Sequence, residues 1–432
     1  MQKTSKLKIH TTFYYYKIFG IFFLLQFFCF FVQNSFATEI QDAIESAKAN
    51  NRNIKLENIK LKSTKTLKSE AISEFLPNVK ADIQYGNRNS FYQGQSYDRS
   101  TKQEVKEISL EQPLFDGMHS ILKYREAKYK IKSGEALVSD KVQEISFAAT
   151  QSYCNLYRYQ ELTKFYQLSQ SLSSEILSLA KRRKNSKLID KSDFIKFEYE
   201  ASVAEEKYLD SLNRLNKAKF DYEIVIGQMH ENLIAPLIKD ELPNANEILE
   251  NAIRQNPNLK SYRYNYLASK ASYNSEKSNF LPKVSLSATA SNQSNVVYLN
   301  NQDLNSRSLF FNVSVPIFQK GVEFSSLTKA KYNKDAALEE YEIAREEMEK
   351  EIAKSLEEYR FYKELNKSNE RLSTLAQERV NSISEKIHSK VEDPIEFIRA
   401  KIELNDKKIS HLNSQMDLAI TYYKIKYFLS EL

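Results

Sequence analysis

Apolar and small side chains recur along most of this chain at alternating steps of four and three. Val138, Val142, Ile145, Ala149, Ser152, Leu156 and Tyr159 form one series. Phe197, Ala201, Ala204, Tyr208, Ser211, Leu215, Ala218, Tyr222 and Val225 form a second. Ile398, Ile402, Asn405, Ile409, Leu412, Met416, Ala419 and Tyr423 form a third, and Met348, Ile352, Ser355, Tyr359 and Tyr362 a shorter fourth. A sustained 3.5-residue period makes helices wrap around one another. The Ala, Ser and Asn at many seam positions allow close approach and argue against a dry two-stranded zipper. The pattern predicts six helical stretches, about 39–74, 118–185, 190–228, 244–279, 322–388 and 395–430. At about 1.5 Å per residue the second and fifth run on the order of 100 Å each.

Two segments break this period and alternate instead. Val79, Ala81, Ile83 and Tyr85 are spaced by polar residues, as are Ile108 and Leu110. The same holds for Val284, Leu286, Ala288 and Ala290, and for Leu309, Phe311, Val313, Val315 and Ile317. Such alternation predicts strands with one apolar and one polar face, about 78–113 and 283–317. The segments between, about 87–103 and 291–307, are rich in Asn, Ser, Gln, Tyr and Arg and read as solvated loops.

The two alternating segments are copies. Phe75-Leu76-Pro77 recurs as Phe280-Leu281-Pro282, and Pro113-Leu114-Phe115-Asp116-Gly117 as Pro316-Ile317-Phe318-Gln319-Lys320-Gly321. Pro77, Pro113, Gly117, Pro282, Pro316 and Gly321 therefore mark helix–strand junctions. The duplication predicts two repeats, 38–230 and 231–432, each with a short helix, two strands, a very long helix and a returning helix.

Composition narrows the class. Only 7 Gly and 8 Pro occur, too few to punctuate several compact domains. Lys plus Arg number 63 against 56 Asp plus Glu. Four of those lysines, Lys3, Lys6, Lys8 and Lys17, fall in the first 37 residues, which hold no acid. The remainder is near charge balance, without an Arg cluster interleaved with aromatics, so no nucleic-acid partner is expected. The basic start, the apolar run from Ile18 to Val32 and Ser35-Phe36-Ala37 predict a secretory leader cleaved after Ala37. An uncleaved anchor is the competing reading, disfavoured by the short apolar run. Cys29 has no small residue beside it, so no lipid anchor is expected. Cleavage leaves Cys154 alone, which excludes a disulfide framework within one chain.

Four strands cannot close a barrel, and an open sheet leaves unsatisfied edges that lipid does not tolerate. If the apolar face meets lipid, copies from several chains must complete the sheet. A small soluble sheet and a plain coiled-coil rod are the alternatives, and the twice-used hairpin flanked by long helices favours the shared barrel.

The junction motifs, the duplicated order of elements, and Asp190-Lys191-Ser192-Asp193-Phe194 echoed by Glu392-Asp393-Pro394-Ile395-Glu396-Phe397 resemble the TolC family of outer-membrane efflux proteins. The resemblance covers essentially residues 38–432. It implies a mainly α fold with β: a coiled-coil-like α-barrel in the periplasm, and a 12-stranded transmembrane β-barrel shared by a homotrimer. It implies the exit duct of an efflux pump or type I secretion system, working with a periplasmic adaptor and an inner-membrane transporter. It also implies an aperture lined by acids where the returning helices begin. The matching positions are Glu396 and, in place of a second acid, Arg399; Asp190 and Asp193 hold the corresponding place in the first half. Lys390 stands where the family has glycine, and Glu392 and Asp393 are further candidates for a negative ring. Acids also suit helix starts because of the helix dipole.

Nothing in the chain has the spacing of an enzyme or cofactor site. His119, His230, His388 and His411 are far apart in sequence, and no phosphate-binding Gly-rich loop occurs. A periplasmic coiled-coil adaptor or scaffold is the second functional reading. It shares the leader and the heptads but would need a single helical hairpin rather than two.

Overall fold

The computed structural model describes residues 39–432 apart from 91–98, 231, 237, 239, 240, 297–301 and 389–392. The leader with its cleavage site, Cys29, Lys390 and Glu392 lie outside the described residues.

The elements follow the duplicated order. The first half holds α1 (Ile40–Asn50), α2 (Arg52–Ser73), β1 (Asn78–Ser90), β2 (Arg99–Phe115), α3 (His119–Asn185) and α4 (Lys191–Ile226). The second holds α5 (Ala245–Gln255), α6 (Pro257–Glu276), a 3-10 turn (Lys277–Phe280), β3 (Lys283–Val296), β4 (Gln302–Ser314), α7 (Val322–His388) and α8 (Pro394–Leu429). The long helices α3 and α7 are both 67 residues, and the returning helices α4 and α8 both 36. This equality shows the internal duplication in three dimensions.

Two predicted helices are each broken in two, at matching places. Asn51 caps α2 by accepting from Asn53 N at 2.8 Å. Asn256 caps α6 by accepting from Asn258 N at 2.9 Å, with Pro257 at the first helical position. A side-chain oxygen that satisfies free N–H groups starts a new helix more cheaply than continuing the old one. The motif Asn-x-Asn is thus a third duplicated junction.

The four strands form one antiparallel sheet in chain order, β1-β2-β3-β4. Register carries the alternation across the sheet. Val79, Leu110, Ala288 and Leu309 lie in one row on the apolar face. Lys80, Ser109, Thr289 and Ser308 form the next row, on the polar face. Asp82, Glu107, Ser291 and Ser306 continue that polar face.

Strand boundaries differ from the sequence expectation at both ends of the hairpins. Much of the polar segments read as loops is strand, since β1 runs to Ser90, β2 starts at Arg99, β3 runs to Val296 and β4 starts at Gln302. Backbone pairing does not need an apolar face, so the ladder outlives the alternation. At the other end β4 stops at Ser314, and Val315 and Ile317 lie beyond it. Pro316 has no N–H to extend the ladder. Pro113 is accommodated inside β2 by a register shift between Pro113 and Phe115.

The helices pack side by side as a wall. Next to the sheet, α3 lies between α2 and α6, and α6 lies against α7. Farther away, α3 lies between α4 and α8, and α8 lies against α7. The short helices pack on the outside of the middle. Ile44 of α1 joins Ile145, Tyr153, Leu156, Tyr222 and Ile226 in one core cluster. Ile248 of α5 joins Met348, Ile352, Ile425 and Phe428 in its counterpart. Tyr153 fixes the linker between the repeats, donating to Ile234 O at 2.8 Å and accepting from Ile234 N at 3.0 Å. Burial pushes the Tyr153 hydroxyl up to about 12.

The wall has two free edges. One is β1 with α2 and α4; the other is β4 with α7. Both carry exposed apolar side chains: Ile59, Tyr199 and Phe220 on the first, Tyr332, Ile343 and Phe361 on the second.

Candidate functional site

The long helices carry the chain from the sheet to a far tip, where α3 turns into α4 and α7 into α8. Asp190 caps α4, its carboxylate accepting from Asp193 N at 2.7 Å. Asp393 caps α8 in the same way, accepting from Ile395 N at 2.9 Å, with Pro394 opening the helix. Asp193 and Glu396 follow in the first turns, where the positive end of the helix dipole favours acids.

The structure brings the two tips together. Arg183, in the last turn of α3, grips Asp393 with both terminal nitrogens, at 2.8 and 2.7 Å. This fork holds the Asp393 carboxyl below the usual carboxylate range. Arg399 approaches two acids, Glu200 of α4 at 3.7 Å and its own helix's Glu396 at 4.0 Å. Its guanidinium also stands over the Phe197 ring, 5.7 Å from the centre. So Asp393, Glu396 and Arg399 share one end of the molecule with Asp190 and Asp193. Each α8 acid there has an arginine neighbour. Glu392 lies outside the described residues.

Arg183 and Glu200 are site residues that sequence reasoning did not single out, and Phe197 was read only as a seam position. Arg183 sits in a basic helix end, Arg182-Arg183-Lys184, which satisfies the C-terminal dipole on its own and so gives no sign of a distant partner. Lys181, Arg182, Lys187 and Lys191 are all exposed around the α3–α4 tip. The acids therefore stand in a predominantly basic surround.

The junction residues occupy the opposite end. Gly117 has φ +72°, and Met118 after it is also left-handed. Lys320 and Gly321 repeat the pair, with φ of 60° and 80°. A Cβ on Gly117 would lie 2.9 Å from both Leu281 Cβ and Ser278 O, so the end of the first hairpin packs on the start of the second. His119 strengthens this joint, its Nδ1 lying 3.0 Å from Ser275 Oγ and 3.1 Å from Ser278 Oγ. Around Gly321 the same space is open. Pro77 and Pro282 directly precede β1 and β3. The Gln112 side chain beside Pro113 donates to Phe75 O at 3.0 Å.

Among the described residues, no group of His, Cys, Asp and Glu is placed to hold a metal ion. No described helix is long and apolar enough to cross a membrane.

Two strand hairpins on a wall of paired long helices, with capped tips at the far end, are a fold shared with solved outer-membrane channels. Residues 248–425 match the family described as outer membrane efflux protein. The outer membrane efflux protein BepC of Brucella suis biovar 1 (strain 1330) is 18% identical over 319 residues, covering 74% of this chain and 70% of that protein. The Campylobacter jejuni CmeC outer membrane channel superposes with a TM-score of 0.77 at 14% identity, over 91% of this chain and 85% of that one. The outer membrane protein VceC of Vibrio cholerae gives 0.75 at 15% identity, over 90% and 96%.

Proposed function

We propose that the protein is one subunit of an outer-membrane exit duct for efflux or type I secretion. The observation that carries this reading is the pair of free edges. β1 and β4 leave unpaired backbone, and α2 with α4 and α7 leave apolar seams, on the same two sides of the chain. A head-to-tail contact joining one side to the other closes into a ring when the rotation allows it. Three copies give twelve strands, a closed barrel without edges. The apolar face then meets lipid and the polar face lines the lumen.

In this reading residues 38–230 and 231–432 are the two units of the wall, each supplying a hairpin and a long helical pair. The leader is removed after Ala37, and the mature chain carries no lipid anchor. The sheet sits in the outer membrane and the helices extend into the periplasm, with the tips toward the cell interior. Glu396, Glu392, Asp393, Asp190 and Asp193 lie around the aperture there, tempered by Arg399. A periplasmic adaptor and an inner-membrane transporter complete the route. A groove of about 340 Å³ between α3, α4 and α8, lined by Ser169, Ser173, Phe197 and Ala204, offers a helical partner a seat near the tip.

Electron microscopy of detergent-purified protein tests the reading. A long threefold cylinder with a barrel at one end is expected. A solid rod, or a monomer or dimer without a lumen that leaves the membrane with salt or alkali, would sink it and favour a periplasmic scaffold.

A further inference from the structure

The apolar face of the sheet does not stay apolar along its whole length. Starting from the helical end, the rows on that face are Phe115, Val284 and Val313, then Gln112, Leu286 and Phe311, then Val79, Leu110, Ala288 and Leu309. The fourth row is Ala81, Ile108, Ala290 and Arg307, and the fifth Ile83, Lys106, Asn292 and Asn305. Rows on one face repeat about every 6.8 Å, so four rows span about 20 Å along the strands. That is close to the apolar height of outer-membrane barrels, about 25 Å. Arg307 therefore stands at the outer rim of the band, with Lys106 one row beyond.

These two cations flank a depression of about 480 Å³. Its floor includes Ala81 and Ala290, whose short side chains leave room, with Ile83 and Ile108 as apolar walls, and Asp82 and Glu107 of the opposite, polar face also line it. Asn292 and Asn305 add polar groups beside it, joined by a 2.8 Å hydrogen bond. Lys106 shares its charge with Glu104 at 3.0 Å. Arg307 is exposed and has no carboxylate partner among the described residues.

An arginine facing lipid is costly unless an anion meets it or it reaches the interface. The anions available at this height are lipid phosphates, whose geometry matches the guanidinium fork. We propose that the depression seats the phosphate of an outer-leaflet lipid headgroup, held by Arg307 and Lys106, with an acyl chain lying inward along Ile108 and Leu110. The site rests on the outer-membrane reading above, because only there does this face meet such a lipid. It gives each copy one seat, on the outside of the barrel and away from the transport route.

Native mass spectrometry of the detergent-solubilised assembly tests this, with bisphosphorylated lipid A and its dephosphorylated form as probes. The bisphosphorylated lipid is expected to bind about tenfold more tightly, and the double variant R307Q/K106Q to lose about that factor. Lys80→Gln removes one positive charge from the polar face and is expected to leave lipid binding unchanged. R307K keeps the charge without the fork and is expected to fall between. Equal binding of both lipids to the wild type, or equal losses in K80Q and R307Q/K106Q, would overturn the site while leaving the duct intact. Wild-type protein that leaves the membrane without detergent would defeat the outer-membrane reading and the site together.

Discussion

Arg183 and Asp393 lie 210 positions apart and share two hydrogen bonds, so the turn of one repeat is fastened to the turn of the other. Both side chains are about one-third exposed. The pair is therefore worth little in global stability, under about 1 kcal/mol. Its effect is local, because it fixes where α8 begins relative to the end of α3. Arg183→Ala is expected to raise single-channel conductance in planar bilayers while leaving thermal stability nearly unchanged. Asp393→Asn should do the same, since Asn still caps the helix. The pH dependence follows from the lowered carboxyl of Asp393. The contribution is fully present above the ordinary Asp value of about 3.9 and fades as pH falls through the lower folded value. Conductance of R183A equal to that of wild type would show that the clasp does not restrain the tip.

If the chain forms the proposed threefold duct, the acids at the tip set a sign for ion passage. Repeating any of them around a threefold axis produces a field that draws cations. The combined variant E392Q/D393N/E396Q should shift the reversal potential in a salt gradient toward weaker cation preference. Arg399→Ala should shift it the other way, because it frees Glu396 and Glu200 from a neighbouring cation. Unchanged selectivity in both would remove these residues from the aperture.

Two glycines in equivalent turns should fail differently. Gly117→Ala meets a left-handed backbone and a contact at 2.9 Å with Leu281 of the same chain. About 1–2 kcal/mol of backbone strain is then joined by a clash. The yield of folded chain should drop. Gly321→Ala carries the backbone strain alone within one chain. In the proposed ring, the repeat would bring the Phe75-Leu76-Pro77 segment of the next copy beside the Lys320–Gly321 turn. Its defect should appear as lost trimer on native gels, with monomer secondary structure retained by circular dichroism. Equal loss of folded monomer in both variants would count against this division.

His230 links the chain between repeats to the core. Its Nδ1 lies 2.6 Å from the Tyr222 hydroxyl and its Nε2 3.1 Å from Gln228 Nε2. Burial lowers the His230 pKa from its ordinary value near 6.5. The neutral ring is therefore the folded form. Its contribution is present above about pH 6.5 and is lost as pH falls through the lower folded value. Thermal melting of the wild type should decline over that window, and His230→Gln should flatten the decline. An unchanged slope in the variant would place the pH sensitivity elsewhere.

The repeat made much of the architecture legible. A period of 3.5 on one side of each Phe-Leu-Pro and of 2 on the other was enough to place the long helices and the start of each hairpin. The breaks at Asn51 and Asn256 fall inside single predicted helices, and only the Asn-x-Asn capping geometry marks them. The outer parts of the strands were hidden for a different reason. Around Ser100 and Asn305 both faces are polar, so pairing persists where hydropathy no longer reports it. At the tip, Asp190, Asp393 and Glu396 could be read from helix-start chemistry. Arg183 and Glu200 could not, because their partners lie on helices far away in sequence, and charge alone does not say which distant acid a cation meets.

The open edges also have a genetic consequence. If the proposed ring of three forms, a wall section that finishes itself only against its neighbours passes its own faults to them. In a cell making equal amounts of sound and edge-damaged chains, about one ring of three in eight would contain sound chains alone. A lesion on β4 or the outer seam of α7 should thus act dominantly over a healthy copy of the gene, whereas a lesion that prevents the chain from folding at all should be recessive.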